Sequence, residues 1–217
     1  MTIWPAHTTE TRSYRQINRG GSKHDRTLSE IEVSIPPLIA DLIYQANPNL
    51  ISPLETAVAD LREVDSGSAA SLNTMATFLI RTDSIASSKI ESIEASTEDF
   101  ARAIAGSKAN QSATLMAAGA DAITKMIESV GTSGRFTRES ILEAHHTLLA
   151  QDEIEACFAG KFRDVQNWVG GSNYSPYLAD YIPPPPELVE TYMDDLIAFL
   201  NRDDISAVAQ AAIGHAQ

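Results

Sequence analysis

Cysteine is nearly absent: Cys157 is the single one in 217 residues. That excludes a disulfide-stapled scaffold and a structural zinc site of the multi-cysteine kind. Positive charge is scarce as well. Sixteen Lys and Arg face 29 Asp and Glu, for a formal net charge of −13, a balance that argues against a broad nucleic-acid-binding surface. No window of about 18 residues is free of charged or polar side chains, so no membrane span is expected. The N-terminus has no apolar run of the secretory kind, and the cytoplasm is the expected compartment. P-loop, Rossmann glycine pattern, HExxH, CxxC and nucleophile elbow are all lacking. No internal repeat of about 20–50 residues is visible, which disfavours a solenoid.

What is there is ordinary globular composition, 43 % apolar and 21 % charged, in a length that suits one large domain or two small ones. The charge is uneven. Residues 1–27 carry Arg12, Arg15, Arg19, Lys23 and Arg26 against Glu10 and Asp25, a net of +3, which leaves −16 for the remainder. Pro5 and the pair Gly20-Gly21 make this stretch read as an irregular basic arm that lies on an acidic body, with Trp4 and Tyr14 as anchors.

From Leu28 the pattern is helical. Pro36-Pro37 reads as a first helical turn, with Leu38, Leu42 and Ile43 on one face. A second helix opens at Pro53 with Leu54, Ala57, Val58 and Leu61 as its stripe. A third runs from about Ala69 towards Ser84. Thr97 before Glu98 and Asp99 reads as an N-cap. Residues 111–130 make a long amphipathic helix, and Thr137 caps the next, which carries Ile141, Leu142, His145, Leu148 and Leu149. Residues 151–186 break the pattern with Gly160, Gly170, Gly171, Pro176 and Pro183 to Pro186, and suggest a long loop holding a short hairpin. Helix resumes after Pro186, and a final one follows Asp203-Asp204. The predicted fold is all-α with one hairpin-like excursion.

Three groups of residues invite a chemical reading. In the run Ser87 to Glu94, a helix would put Ser87 and Glu91 on one face. Glu91 then either points inward at a basic partner or sits on a solvated helix end. His145 falls near an apolar stripe, as a core histidine or a ligand, and adjacent His145 and His146 point apart and do not chelate one metal together. The loop from Gly160 to Pro186 is either a structural excursion or an edge strand that pairs with a partner backbone.

Together these features resemble the Fic family. Ser87 and Glu91 hold the two key positions of its inhibitory-helix motif, [S/T]xxxE[G/N], with Ser92 in place of the usual Gly or Asn. His145-His146-Thr147-Leu148-Leu149 is similar to the family's HxxLL helix, and Gly160-Lys161-Phe162-Arg163 to its GxFR. Val165, Gln166, Asn167, Trp168 and Val169 resemble the strand of its flap, and Tyr181 and Ile182 ahead of the four prolines resemble the segment that closes it. Residues 211–217 look like the helix that leads into the family's active site.

The resemblance implies a Fic-like helical bundle with a short β-hairpin flap. It divides the chain into an arm (1–27), an N-terminal helical region with the inhibitory helix (28–109) and a partial Fic core with the flap (110–217). It implies transfer of AMP from ATP, with Mg2+, to a hydroxyl of a target protein, under inhibition by Glu91 with Ser87 placing it. The family's HxFx(D/E)GNGRxxR motif does not occur in these 217 residues and would begin shortly after Gln217. No residue here is therefore assigned as catalytic base or metal ligand, and the chain by itself is expected not to transfer AMP. The alternative is a non-enzymatic helical module that binds a partner. Expected partners are a target protein and a second copy of the chain, with neither nucleic acid nor membrane.

Overall fold

The computed structural model describes residues 4–17, 20–66, 79–80, 82 and 95–217. Among these the architecture is helical, with one two-stranded antiparallel sheet. The chain divides into two compact units. One comprises residues 1–47, 162–205 and 209–217, the other residues 48–161 and 206–208.

In the first unit, strand β1 (Thr8–Ser13) pairs with β2 (Glu30–Ile35) from Thr8↔Ile35 to Ser13↔Glu30. A short helix, α1 (Lys23–Thr27), lies between them. The arm is thus built rather than irregular. On β2, Ile31 and Val33 are buried while Glu30 and Glu32 face out, the two-residue alternation of a half-buried strand. Helix α6 (Pro186–Leu200) follows the proline run, with proline at its first turn. Its Phe199 is fully buried, and Ile39, Ile205 and Ala209 of the same unit are buried as well.

The helix expected after Pro36-Pro37 is not formed. Residues 36–39 and 42–47 have no regular structure, with a turn at 40–41. The reason is competition for the backbone. The Asp195 carboxylate accepts from Ile39 N–H (2.6 Å) and Ala40 N–H (3.1 Å). Tyr192 Oη donates to Pro36 C=O, Arg202 to Ala40 and Leu42 C=O, and Gln217 Nε2 to Pro37 C=O. With those groups engaged, no run of helical bonds is left to make.

The second unit holds α2 (Pro48–Ser66), α3 (Thr97–Ile104), α4 (Gln111–Ser133) and α5 (Arg138–Leu149), then a 3-10 turn at Ala156–Phe158. Helix α2 starts at Pro48 and runs through Pro53, five residues ahead of the start expected there. Ser96, not Thr97, is the N-cap of α3. Asn110 and Thr137 cap α4 and α5, the latter in a capping box with Ser140. The buried face of α4 is made largely of alanine (Ala113, Ala118, Ala120, Ala122) around Met116, which lets α3 and α5 pack closely on it. The last helix, α7 (Ala207–Ala216), sets Gly214 against the Leu200 side chain. No helix among the described residues is long and apolar enough to cross a membrane.

Candidate functional site

The flap, residues 165–182, departs from a plain hairpin. Its ladder is one bridge, Val169↔Tyr181. Val169 N–H donates to Tyr181 C=O at 2.9 Å, and Asp180 and Tyr181 N–H both donate to Val169 C=O, at 2.8 and 3.3 Å. The turn at Gly170-Gly171 needs glycine, since both have left-handed φ, +75° and +68°. A Cβ on Gly171 would stand 2.6 Å from the backbone of Leu178 and Ala179. Leu178 is itself left-handed at φ 59° and exposed.

The residues expected to dock a target divide into two kinds. Gln166 and Trp168 brace the flap: Gln166 Nε2 donates to Pro183 C=O, and Trp168 Nε1 to Ser172 C=O at 2.7 Å. Val169, Tyr181 and Asn167 are exposed, Val165 half so. Ile182 is half-buried, and its C=O accepts from Ser34 N–H of β2 at 2.8 Å. Together with Tyr174 and Leu178, Val169 and Tyr181 give the flap an apolar exposed rim.

What holds the flap is the arm, through its acid rather than its bases. Asp25 is buried at 3 % exposure. Ser22 N–H and Ser22 Oγ donate to one of its oxygens at 2.6 Å each, and Ser175 Oγ donates to the other at 2.7 Å. The hydroxyls of Ser172, Ser22 and Ser175 outweigh desolvation and hold this carboxyl well below the usual carboxylate range. Nearby, the Tyr14 hydroxyl is pushed up, first by burial and then by the Asp25 charge. Gln16 Nε2 donates to Tyr174 C=O, and His24 stacks on Tyr177 with ring centroids 5.0 Å apart. The arm's bases point elsewhere: Arg26 donates to Gly21 C=O, and Arg12 pairs with Glu10 and Glu187. Asp25 carries no functional motif in the sequence beyond Ser22-x-x-Asp25, which has the form of a capping box.

The sign of the Asp25 shift sets a pH window. A depressed folded value stabilises fully above the unfolded carboxyl value of about 3.9, and the stabilisation is lost as pH falls below it toward the folded one. Asp25→Asn is expected to speed amide exchange across residues 172–177 roughly tenfold near neutral pH. The gap to the parent should stay constant down to about pH 5 and close below about pH 4. A gap that closes nearer neutrality would assign the effect to another group.

In the second unit, the HxxLL helix is α5, and the glycine of GxFR lies against it. Gly160 has φ +70°, and a Cβ there would stand 3.0 Å from His146 Cβ and 3.3 Å from Leu142 C=O. Only glycine brings the chain this close to α5. His145 is half-buried and His146 exposed. Ser87 and Glu91 lie outside the described residues.

ATP and Mg2+ are implied by the resemblance alone. No group of three or more His, Cys, Asp or Glu among the described residues is placed to hold a metal ion. The sequence also has no Gly-Asn-Gly-Arg loop to cradle phosphates.

Residues 135–217 match the family model of the Fic/DOC family. This stretch, which spans α5, the flap, α6 and α7, is a Fic-family region. No curated protein matches the chain.

Proposed function

We propose that the chain supplies the target-docking and regulatory part of a Fic-type protein adenylyltransferase, which transfers AMP to a hydroxyl of a target protein. The observation that carries this reading is the Fic/DOC match over residues 135–217, which takes in the exposed flap. In this reading the flap rim of Val169, Tyr181, Asn167 and Val165 meets an extended target segment and sets its register by strand-like pairing. Gln166 and Trp168 keep the flap in shape from within, and the arm keeps it in place through Asp25. Glu91, positioned by Ser87, is the inhibitory carboxylate, and its partner is an arginine of the family motif.

One assay with labelled ATP, Mg2+ and candidate target proteins tests both halves. The 217-residue polypeptide is expected to label nothing. A version produced together with an HxFx(D/E)GNGRxxR segment is expected to label itself and its targets, and Glu91→Gly is expected to raise that labelling on the order of tenfold or more. Labelling by the 217-residue polypeptide would overturn the division of labour. No labelling by either version would favour a non-enzymatic module, and an unchanged rate in Glu91→Gly would remove the inhibitory role.

A further inference from the structure

The register of the β1–β2 pair determines which backbone groups of β2 are already in use. Tyr14 N–H donates to Ser29 C=O at 2.7 Å, one step beyond Ser13↔Glu30. Bonded and non-bonded residue pairs alternate in an antiparallel ladder. Arg12↔Ile31, Glu10↔Val33 and Thr8↔Ile35 are therefore the bonded pairs, and the N–H and C=O groups of Glu30, Glu32 and Ser34 point away from β1. Ser34 agrees with this, since its N–H reaches Ile182 C=O of the flap.

Beyond that single bond the flap leaves the edge. Asp180 and Tyr181 spend their N–H groups on Val169 instead. A groove of about 450 Å3 opens between β2 and residues 176–182. Among the described residues, no backbone group pairs with Glu30 or Glu32 along it. Leu28, Leu178 and Ile182 supply apolar lining, while Glu30, Glu32 and Asp180 supply the charge. Glu30 and Glu32 are exposed and form no ion pair among the described residues, and Arg12, across the ladder, is engaged by Glu10 and Glu187.

We infer that this open edge of β2 is a docking strip for an extended, lysine- or arginine-bearing segment of a partner protein, which adds as a third strand beside Glu30 and Glu32. The two residues offer two N–H and two C=O groups, enough to fix three residues of an incoming strand. Side chains directly opposite them lie about 4.5–5.5 Å away, where a cation is favoured and a carboxylate repelled. The net charge of −13 draws a cationic segment towards the molecule before contact. Strand addition supplies affinity through the backbone, and the glutamates supply the selection. The inference goes beyond the transfer reading and does not depend on it, because it is read by binding alone.

A labelled, end-blocked peptide of alternating lysine and valine, titrated with the whole polypeptide and followed by fluorescence anisotropy, tests the strip. Saturable binding is expected. N-methylation of alternate peptide amides, in the set that faces the edge, should weaken it roughly tenfold. The glutamate–valine counterpart should not bind. The double variant Glu30→Gln, Glu32→Gln should bind the lysine peptide about fivefold more weakly and with a shallower salt dependence. Full binding by peptides N-methylated in either set, equal binding of the glutamate peptide, or unchanged binding by the double variant with native circular dichroism would each overturn the inference, as would no binding at all. A failed AMP-transfer assay leaves all these readings in place, so the two proposals fail separately.

Discussion

Phe199→Ala is expected to destabilise the unit that carries the flap by about 3–5 kcal/mol, the cost of emptying a filled aromatic site in a core. The ring is fully buried. Trp4 meets it edge-on at 6.2 Å, and the Arg202 guanidinium stands 5.8 Å from its centroid. The loss reaches further than the ring, because Gln210 Nε2 bridges the C=O groups of Phe199 and Arg202 and so joins the end of α6 to α7. Arg202 in turn holds Ala40 and Leu42, so the segment after β2 shares the damage. Urea unfolding checks this, with Ile154→Ala as the control. Ile154 is 82 % exposed, and its truncation should change stability by no more than about 0.5 kcal/mol. Equal effects from the two substitutions would mean that the packing around Phe199 is not what holds α6.

Gly171→Ala is expected to cost on the order of 3 kcal/mol, from a left-handed φ that alanine adopts poorly and from a methyl driven against backbone. The methyl would meet Leu178 and Ala179, which have no flexible side-chain end to yield. The damage should concentrate in the flap, so proteolysis between residues 165 and 182 should accelerate more than global unfolding does. Leu178→Gly is the opposite case. It relieves the left-handed strain at φ 59° and should be neutral, or stabilising by up to about 1 kcal/mol. Intact flap protection in Gly171→Ala would show that the turn relaxes around the methyl.

The parts of the fold legible in the sequence were those with a local cause. Apolar residues at three- and four-residue steps marked α4, α5 and α6, and Thr137 capped α5 as read. The strands were harder. Thr8–Ser13 has no apolar residue at all, so β1 carries no alternation to read, although Ile31 and Val33 in Glu30–Ile35 do alternate. The segment after Pro36-Pro37 looked helical because its apolar spacing is helical. Asp195, Tyr192 and Arg202, which keep it otherwise, lie some 160 positions away. The site divides in the same way. Glycines at 170 and 171 announce the flap turn, whereas the arm reads as irregular and its capping box at Ser22 and Asp25 emerges only in the structure. That the capped carboxylate would also receive Ser175, 150 residues on, has no local signal.

That separation has a consequence for how the protein is made. The arm leaves the ribosome before its counterpart at Ser175 is translated, and at about 5–20 residues per second the wait is roughly eight to thirty seconds. Over that interval Asp25 has only Ser22 for company, and β2 has no flap beside Ser34. Helices α3, α4 and α5, which pack on their neighbours in sequence, have the time to fold first. Newly made chains pass through a stage with bare strand edges, the stage at which a chaperone that covers extended segments would have most to do.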